Sequence, residues 1–213
     1  QSTNDKVLAM NRRGHTREDI FRSARLLKER GFETGLQMMT GLYGSNDEDS
    51  IGTARDIISL SPDTARIYPT VVIENTELAE LYRSGEYRPQ TPEEAALLCA
   101  KILPMFERAG IKVIRLGLHS GGDVEGSFVA GAYHPALREM CEGHIYFDII
   151  NRALSGKEKG KYIIYVAPRE VSKASGQRRC NIEKLRELGY ECRIKENAAL
   201  SARDITLEKV NLL

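Results

Sequence analysis

The chain has 213 residues, 41% hydrophobic and 29% charged, with a formal net charge of +1 at pH 7. This composition is that of a globular chain long enough for one large domain or a main domain with an appendage, and no apolar run reaches the roughly 18 residues of a membrane span. Near-neutrality excludes a strong nucleic-acid-attracting field over the whole molecule, although from Lys157 onward 13 Lys and Arg stand against 8 Asp and Glu, a local +5 that leaves −4 before it.

Taken in order, Gln1-Ser2-Thr3-Asn4-Asp5 has no initiator methionine and reads like the loop after a strand that is not in the chain. Asp5 to Met10 can form a short helix, and Asn11-Arg12-Arg13-Gly14-His15 is a polar break. The first long helix takes Thr16 as N-cap, Glu18 and Asp19 in its first turn and Gly31 beyond its end. Gly35 to Gly44, GLQMMTGLYG, is a nearly continuous apolar run ending in glycines. It reads as a buried strand of a parallel sheet, with Gln37 and Thr40 as its polar exceptions and a turn past its carboxyl end, where ligands bind in parallel α/β folds.

Asn46-Asp47-Glu48-Asp49 opens a second helix, which Ser61-Pro62 stops. Ala65 to Ile73 is β-rich, but Pro69 predicts that the strand ends near Tyr68 and opens into a loop. Thr76 to Ser84 is a short helix closed by Gly85. Thr91-Pro92-Glu93-Glu94 combines a cap, a proline at the first helical position and a capping-box glutamate. The helix it opens runs to about Ala109, kinked at Pro104. Lys112 to Leu118 is a strand, followed by a Gly-rich loop through Gly131 and a helix from about Pro135 to Ala153.

Strands and helices thus alternate from Gln1 to Ala153 with no hairpin signal, which predicts parallel strands joined by crossover helices. Three strands are too few for a closed eight-stranded barrel but suit half of one. Ser155 to Lys161 reads as a linker. Beyond it come a strand at Tyr162–Val166, a polar, mobile stretch at Ser172–Arg179, a helix at Asn181–Leu188, and strands at Tyr190–Lys195 and Asp204–Val210. The expected domains are therefore residues 1–154, a partial β/α barrel with a helical extension, and residues 155–213, a small basic α/β unit.

Cys99, Cys141, Cys180 and Cys192 are 42, 39 and 12 residues apart, so their spacing specifies neither zinc nor an iron–sulfur cluster. With no signal peptide at the start, this suggests reduced thiols in a cytoplasm. His119, at the carboxyl end of its strand, is either an acid–base or substrate-contacting group or a loop histidine bonded to backbone. His134 before Pro135 suits a cap of the next helix, His15 beside Arg12 and Arg13 a solvated turn or an anion contact, and His144 a packed helix residue. Gly121-Gly122 with Gly126 matches the spacing of neither a Walker loop nor a dinucleotide fingerprint. No metal ligands are assigned.

Several stretches in order carry a resemblance. Gln1-Ser2, Val7-Leu8, Asn11 to Thr16, the GLQMMTGLYG run, Ile67-Tyr68-Pro69-Thr70 and Val72 to Tyr87 resemble the radical S-adenosylmethionine (SAM) enzymes. They are most similar to the branch of the oxygen-independent coproporphyrinogen III oxidases and the catalytic subunit of elongator-type tRNA-modifying enzymes. Gly131 to Pro135 and the next helix resemble a C-terminal extension of bacterial elongator-like proteins.

The resemblance implies a partial TIM-type β/α barrel, a [4Fe-4S] cluster that reduces SAM, and a 5′-deoxyadenosyl radical that abstracts hydrogen from a cytoplasmic substrate such as an RNA or a porphyrin-like molecule. By motif position Gln1 and Arg12 would lie near SAM, Gln37 at the ribose position and Tyr68-Pro69 beside the adenine. Gln37 stands where the coproporphyrinogen-oxidase side of the family has an acid, and the C-x-x-x-C-x-x-C cluster motif is absent from the sequence. The expectation is the C-terminal part of such an enzyme, with neither SAM nor cluster bound and no activity by itself, and with an exposed barrel edge that drives self-association. Two rivals remain: a non-enzymatic α/β module that binds RNA or protein through its basic end, and a small complete enzyme using His119.

Overall fold

A computed structural model describes residues 1–118 and 126–210. They form two compact units, Gln1–Leu137 and Arg138–Leu213. The fold is α/β with parallel strands.

The first unit runs α1 (Asp5–Met10), α2 (Arg17–Glu29), β1 (Gly35–Thr40), α3 (Asp47–Ser59), β2 (Thr64–Pro69), β3 (Val71–Ile73), α4 (Glu77–Ser84), α5 (Pro92–Arg108), β4 (Lys112–Leu116) and β5 (Phe128–Gly131). Thr16, Asn46 and Thr91 each close a capping box, with Asp19, Asp49 and Glu94 returning the hydrogen bond. The sheet β1-β2-β4 is parallel throughout. Its buried face presents Met38, Thr40, Ala65, Ile67, Val113 and Leu116. Helix α3 packs on β1 and α5, and α5 packs on β2 and β4. The core there is made by Ala54, Ile57, Leu98, Ile102, Leu103 and Phe106, all essentially buried.

Three local expectations are corrected. Pro69 is not past the strand but is its last residue, in register with Thr40. The hydrogen bonds explain why a proline is tolerated there. Thr70 N–H donates to the Thr40 carbonyl on one side, while on the other the ladder ends as Gly117 N–H donates to the Ile67 carbonyl. The missing N–H of Pro69 therefore points beyond the end of β4, and no ladder bond is lost. The alternation of parallel strands is also interrupted, because β3 pairs antiparallel with β5 in a separate two-stranded sheet. Strand β5 is the end of the stretch read as loop. At its last residue, Gly131 (φ 114°), a Cβ would lie 3.0 Å from both the Thr70 carbonyl oxygen and Val71 Cα, so glycine permits the close approach.

The second unit contains α6 (Leu137–Leu154, of which all but the first residue lie here), β6 (Gly160–Val166), α7 (Val171–Ser175), a 3₁₀ turn (Gln177–Arg179), α8 (Cys180–Glu187), β7 (Tyr190–Glu196) and β8 (Ile205–Lys209). The elements follow the β-α-β-β order read from the sequence, with β6 central, parallel to β7 and antiparallel to β8. Tyr146, Ile150 and Leu154 of α6 share a core with Tyr162, Ile164, Val166, Leu185 and Tyr190, so the polar stretch 155–161 lies inside this unit. The segment 172–179, expected to be mobile, is instead helical over most of its length. Ala174 is buried there, and the fully buried Asn181 donates to the Gly143 and Ala174 carbonyls at 2.8 and 3.1 Å. Among the described residues no helix is long and apolar enough to cross a membrane.

Candidate functional site

The carboxyl ends of β1, β2 and β4 meet at one edge, and the turn after β1 is held from several sides. Thr70 Oγ1 donates to the Thr40 carbonyl at 2.8 Å, Thr40 Oγ1 donates to Gln90 Oε1 at 3.1 Å, and Tyr87 OH donates to the Gly41 carbonyl at 2.6 Å. Gly41 is left-handed (φ 69°), and a Cβ there would stand 2.7 Å from Gln90 Oε1. Burial pushes the Tyr87 hydroxyl up to about 12, so it stays a donor at any physiological pH. Beside this turn lies a cleft of about 560 Å³, lined among others by Tyr43, Asn46, Tyr87, Arg88, Gln90 and Lys101.

The other face of the sheet presents Gln37 and Met39 from β1, Arg66 and Tyr68 from β2, and Arg115 from β4. Gln37 is exposed and the other four are half-buried. Cross-strand register pairs Gln37 with Arg66, Arg66 with Arg115, and Met39 with Tyr68.

The sequence-derived positions fall as follows. The main-chain nitrogen of Gln1 donates to the Gln37 carbonyl at 3.2 Å, and Met39 N–H donates to the Gln1 carbonyl at 2.8 Å. That is one rung of a parallel ladder, with Gln1 beside β1 on the side away from β2. The buried Ser2 and Thr3 anchor this segment through the Thr53 hydroxyl of α3. Gln37, Tyr68 and Pro69 lie on the adjoining strands β1 and β2, Tyr68 half-buried on the open face and Pro69 buried on the other. Arg12, left-handed at φ 51° just past α1, is ion-paired with Glu77 at the start of α4, 2.6 Å away. His119, Gly121 and Gly122 lie outside the described residues. His134 accepts the Ala136 N–H on Nδ1 at 3.1 Å, a cap before α6. His15 is half-buried beside α2, and His144 is half-buried within α6.

Sequence reasoning passed over Arg66, Arg115, Tyr87 and Gln90. Strict alternation in Ala65-Arg66-Ile67-Tyr68 could have flagged Arg66. The partnership of Arg66 with Arg115 could not be read, because it depends on a register shift between β2 and β4.

The cysteines give no cluster site among the described residues. Cys99, Cys141 and Cys192 are buried in α5, α6 and β7, and Cys180 is partly buried at the start of α8. Burial pushes the thiols of Cys99 and Cys192 up to about 12 and about 11, which disfavours the thiolate a metal requires. No group of three or more potential metal ligands occurs among the described residues.

Comparison with known proteins places this geometry in a family. The sequence model of the radical SAM superfamily matches residues 1–57, and that of the radical SAM C-terminal domain matches residues 62–146. The chain is 38% identical over 114 residues to the tRNA uridine(34) acetyltransferase of Methanocaldococcus jannaschii, covering 51% of this chain and 21% of that protein. It is 33% identical over 114 residues to human Elongator complex protein 3, covering 49% and 20% respectively. A solved structure of Methanocaldococcus infernus Elp3 with an N-terminal deletion superposes with a TM-score of 0.57 at 27% identity, over 72% of this chain and 35% of that one. The chain thus spans about a fifth of the length of these two curated relatives. With two adjoining family models matched in order over residues 1–146, and elongator-type proteins among its relatives, the chain belongs to the radical SAM superfamily, on the side of the Elongator catalytic subunit.

Proposed function

We propose that this chain is the C-terminal part of a radical SAM, iron–sulfur-dependent enzyme whose barrel is completed by strands preceding Gln1. The parent's substrate is a cytoplasmic molecule, with an RNA as the foremost candidate, since the relatives include proteins named for acting on tRNA uridine. The observation that supports this reading is the common edge of three parallel strands, with Gln1 laddered to β1 beside Gln37 and Tyr68-Pro69 at the end of the adjoining β2. In the whole enzyme, SAM and a reduced cluster would supply the chemistry of hydrogen abstraction. Within this chain the Gln37 amide, exposed and offering both a donor and an acceptor, fits a ribose diol, and the half-buried Tyr68 offers a flat surface to a purine. Arg12 is held by Glu77 in the loop region that follows α1.

The described residues do not fit a [4Fe-4S] cluster, because their cysteines are dispersed and mostly buried and the sequence contains no C-x-x-x-C-x-x-C. The test compares two proteins under anaerobic reducing conditions: this chain alone, and the product of the full reading frame that contains it. We expect the full product to hold iron and sulfide and to release 5′-deoxyadenosine from SAM, and this chain to do neither. Cluster assembly or SAM cleavage by the chain alone, or a full reading frame without a cluster motif, overturns the reading.

A second reading, an α/β module that binds RNA through residues 155–213, draws on the consecutive exposed Arg178 and Arg179. It predicts tRNA binding that is lost when Lys173, Arg178 and Arg179 are reversed in charge.

A further inference from the structure

Arg66 and Arg115 are the half-buried arginines of the first unit, where the others are exposed. Among the exposed ones, Arg12 pairs with Glu77 at 2.6 Å, Arg17 with Asp56 at 2.7 Å and Arg88 with Glu94 at 2.6 Å. Arg66 and Arg115 form no ion pair with any of the described residues. Yet they sit directly opposite each other, on strands that in a sheet lie about 4.8 Å apart, both half-buried on one face. Like charges placed opposite one another weaken a sheet.

The local backbone produces this juxtaposition. Ala65 pairs with Val113, and an even register would set Arg66 against Ile114. The shift between Ala65 and Arg66 brings Arg115 there instead. On the far side of Arg66, its Nη1 reaches toward Gly35, where a Cβ would stand 3.6 Å away in ordinary contact. Gln37 extends the same row, and Met39 and Tyr68 form the next cross-strand pair toward the carboxyl edge. The face therefore carries two arginines in register, an amide, and then a thioether with a phenol ring.

We propose that Arg66 and Arg115 form a phosphate clamp for a nucleotide-bearing substrate. Guanidinium forks match phosphate oxygens bidentately, and two forks facing one anion turn their mutual repulsion into attraction. Phosphate and base chemistry are shared by free nucleotides and single-stranded RNA. The assignment of this ligand as substrate rests on the reading under Proposed function, whereas the binding itself does not.

The test uses the full chain and calorimetric titration at low salt with uridine 5′-monophosphate, with uridine, and with a short oligouridylate. A pyrimidine probe avoids competition with an adenine subsite. We expect saturable binding of the monophosphate, much weaker binding of uridine, and a loss of about tenfold or more in each of Arg66→Gln and Arg115→Gln, with Arg66→Lys intermediate. Oligouridylate binding whose salt dependence is lessened in both variants identifies the RNA backbone as the source, and binding of the monophosphate alone identifies a free nucleotide. In phosphate-free buffer the two Gln variants should melt at or above the parent temperature, because repulsion is removed. Equal monophosphate binding by parent and variants, no saturable binding at all, or a steep fall in melting temperature that points to a structural role overturns the proposal. SAM cleavage by the full reading frame is read separately, so that a failure of either assay leaves the other interpretable.

Discussion

Tyr87 closes the turn after β1 with one hydrogen bond, from its hydroxyl to the Gly41 carbonyl, and its ring meets Tyr43 edge-on at 6.1 Å. Tyr87→Phe keeps the ring contact and leaves that carbonyl short of a donor, so chemical denaturation should show a loss of about 1 kcal/mol. An unchanged midpoint would mean that the turn is fixed by Thr40, Thr70 and Gln90 alone. Arg178 and Arg179 behave in the opposite sense. Both are left-handed, at φ 51° and 65°, and both are exposed, with Arg179 standing as a helix N-cap that makes no side-chain cap bond. Left-handed backbone costs a non-glycine residue about 1 kcal/mol. Arg178→Gly should therefore raise stability by about 0.5 kcal/mol or more, net of the glycine's larger unfolded-state entropy, and a loss would show that the side chain holds the turn.

At the scale of elements, α6 and α7 are tied by a chain of polar contacts. Arg138 Nε lies 3.0 Å from Glu142, Lys173 Nζ lies 2.6 Å from Glu142 and 2.7 Å from Glu170, and Tyr146 OH donates to Glu170 at 2.7 Å. Burial pushes the Glu142 carboxyl up, but Lys173 and Arg138 outweigh it and hold the group below its ordinary 4.5. A carboxyl depressed in the folded state stabilises fully above its unfolded pKa and loses that contribution as pH falls through the folded value. The second unit should accordingly keep its stability above about pH 5 and lose it progressively in more acidic solution. Glu142→Gln should cost about 2 kcal/mol at pH 7 and flatten that acid limb, and a variant with the parent's pH profile would place the acid sensitivity elsewhere. Helix positions were legible because caps are local: Thr16, Thr91 and Gly85 each act within a few residues. Strand β5 was not, since its four residues pair with β3, which lies more than 50 positions earlier, and carry no turn signal between them.

On the scale of the molecule, the outer residues of α2 and its following turn are the least satisfied apolar surface: Leu26 and Leu27 are about half exposed and Phe32 is 61% exposed. They adjoin a groove of about 330 Å³ whose walls include Ile20, Leu27 and Leu36 of β1. Exposed apolar area beside a strand edge favours association. We expect the isolated chain to elute from size exclusion above its monomer mass in a concentration-dependent way, and Leu27→Lys with Phe32→Ser to shift it toward monomer. A strictly monomeric parent chain would refute this. By itself the sequence determined the caps, the β-α-β-β order of the second unit and the family, because periodicity, capping and motif order are encoded within short windows. Only the tertiary structure decided the antiparallel β3–β5 pair, the place of Pro69 inside β2, and the row of Gln37, Arg66 and Arg115. These depend on register between strands dozens of residues apart, and a one-residue shift, invisible along the chain, chooses which side chains face each other.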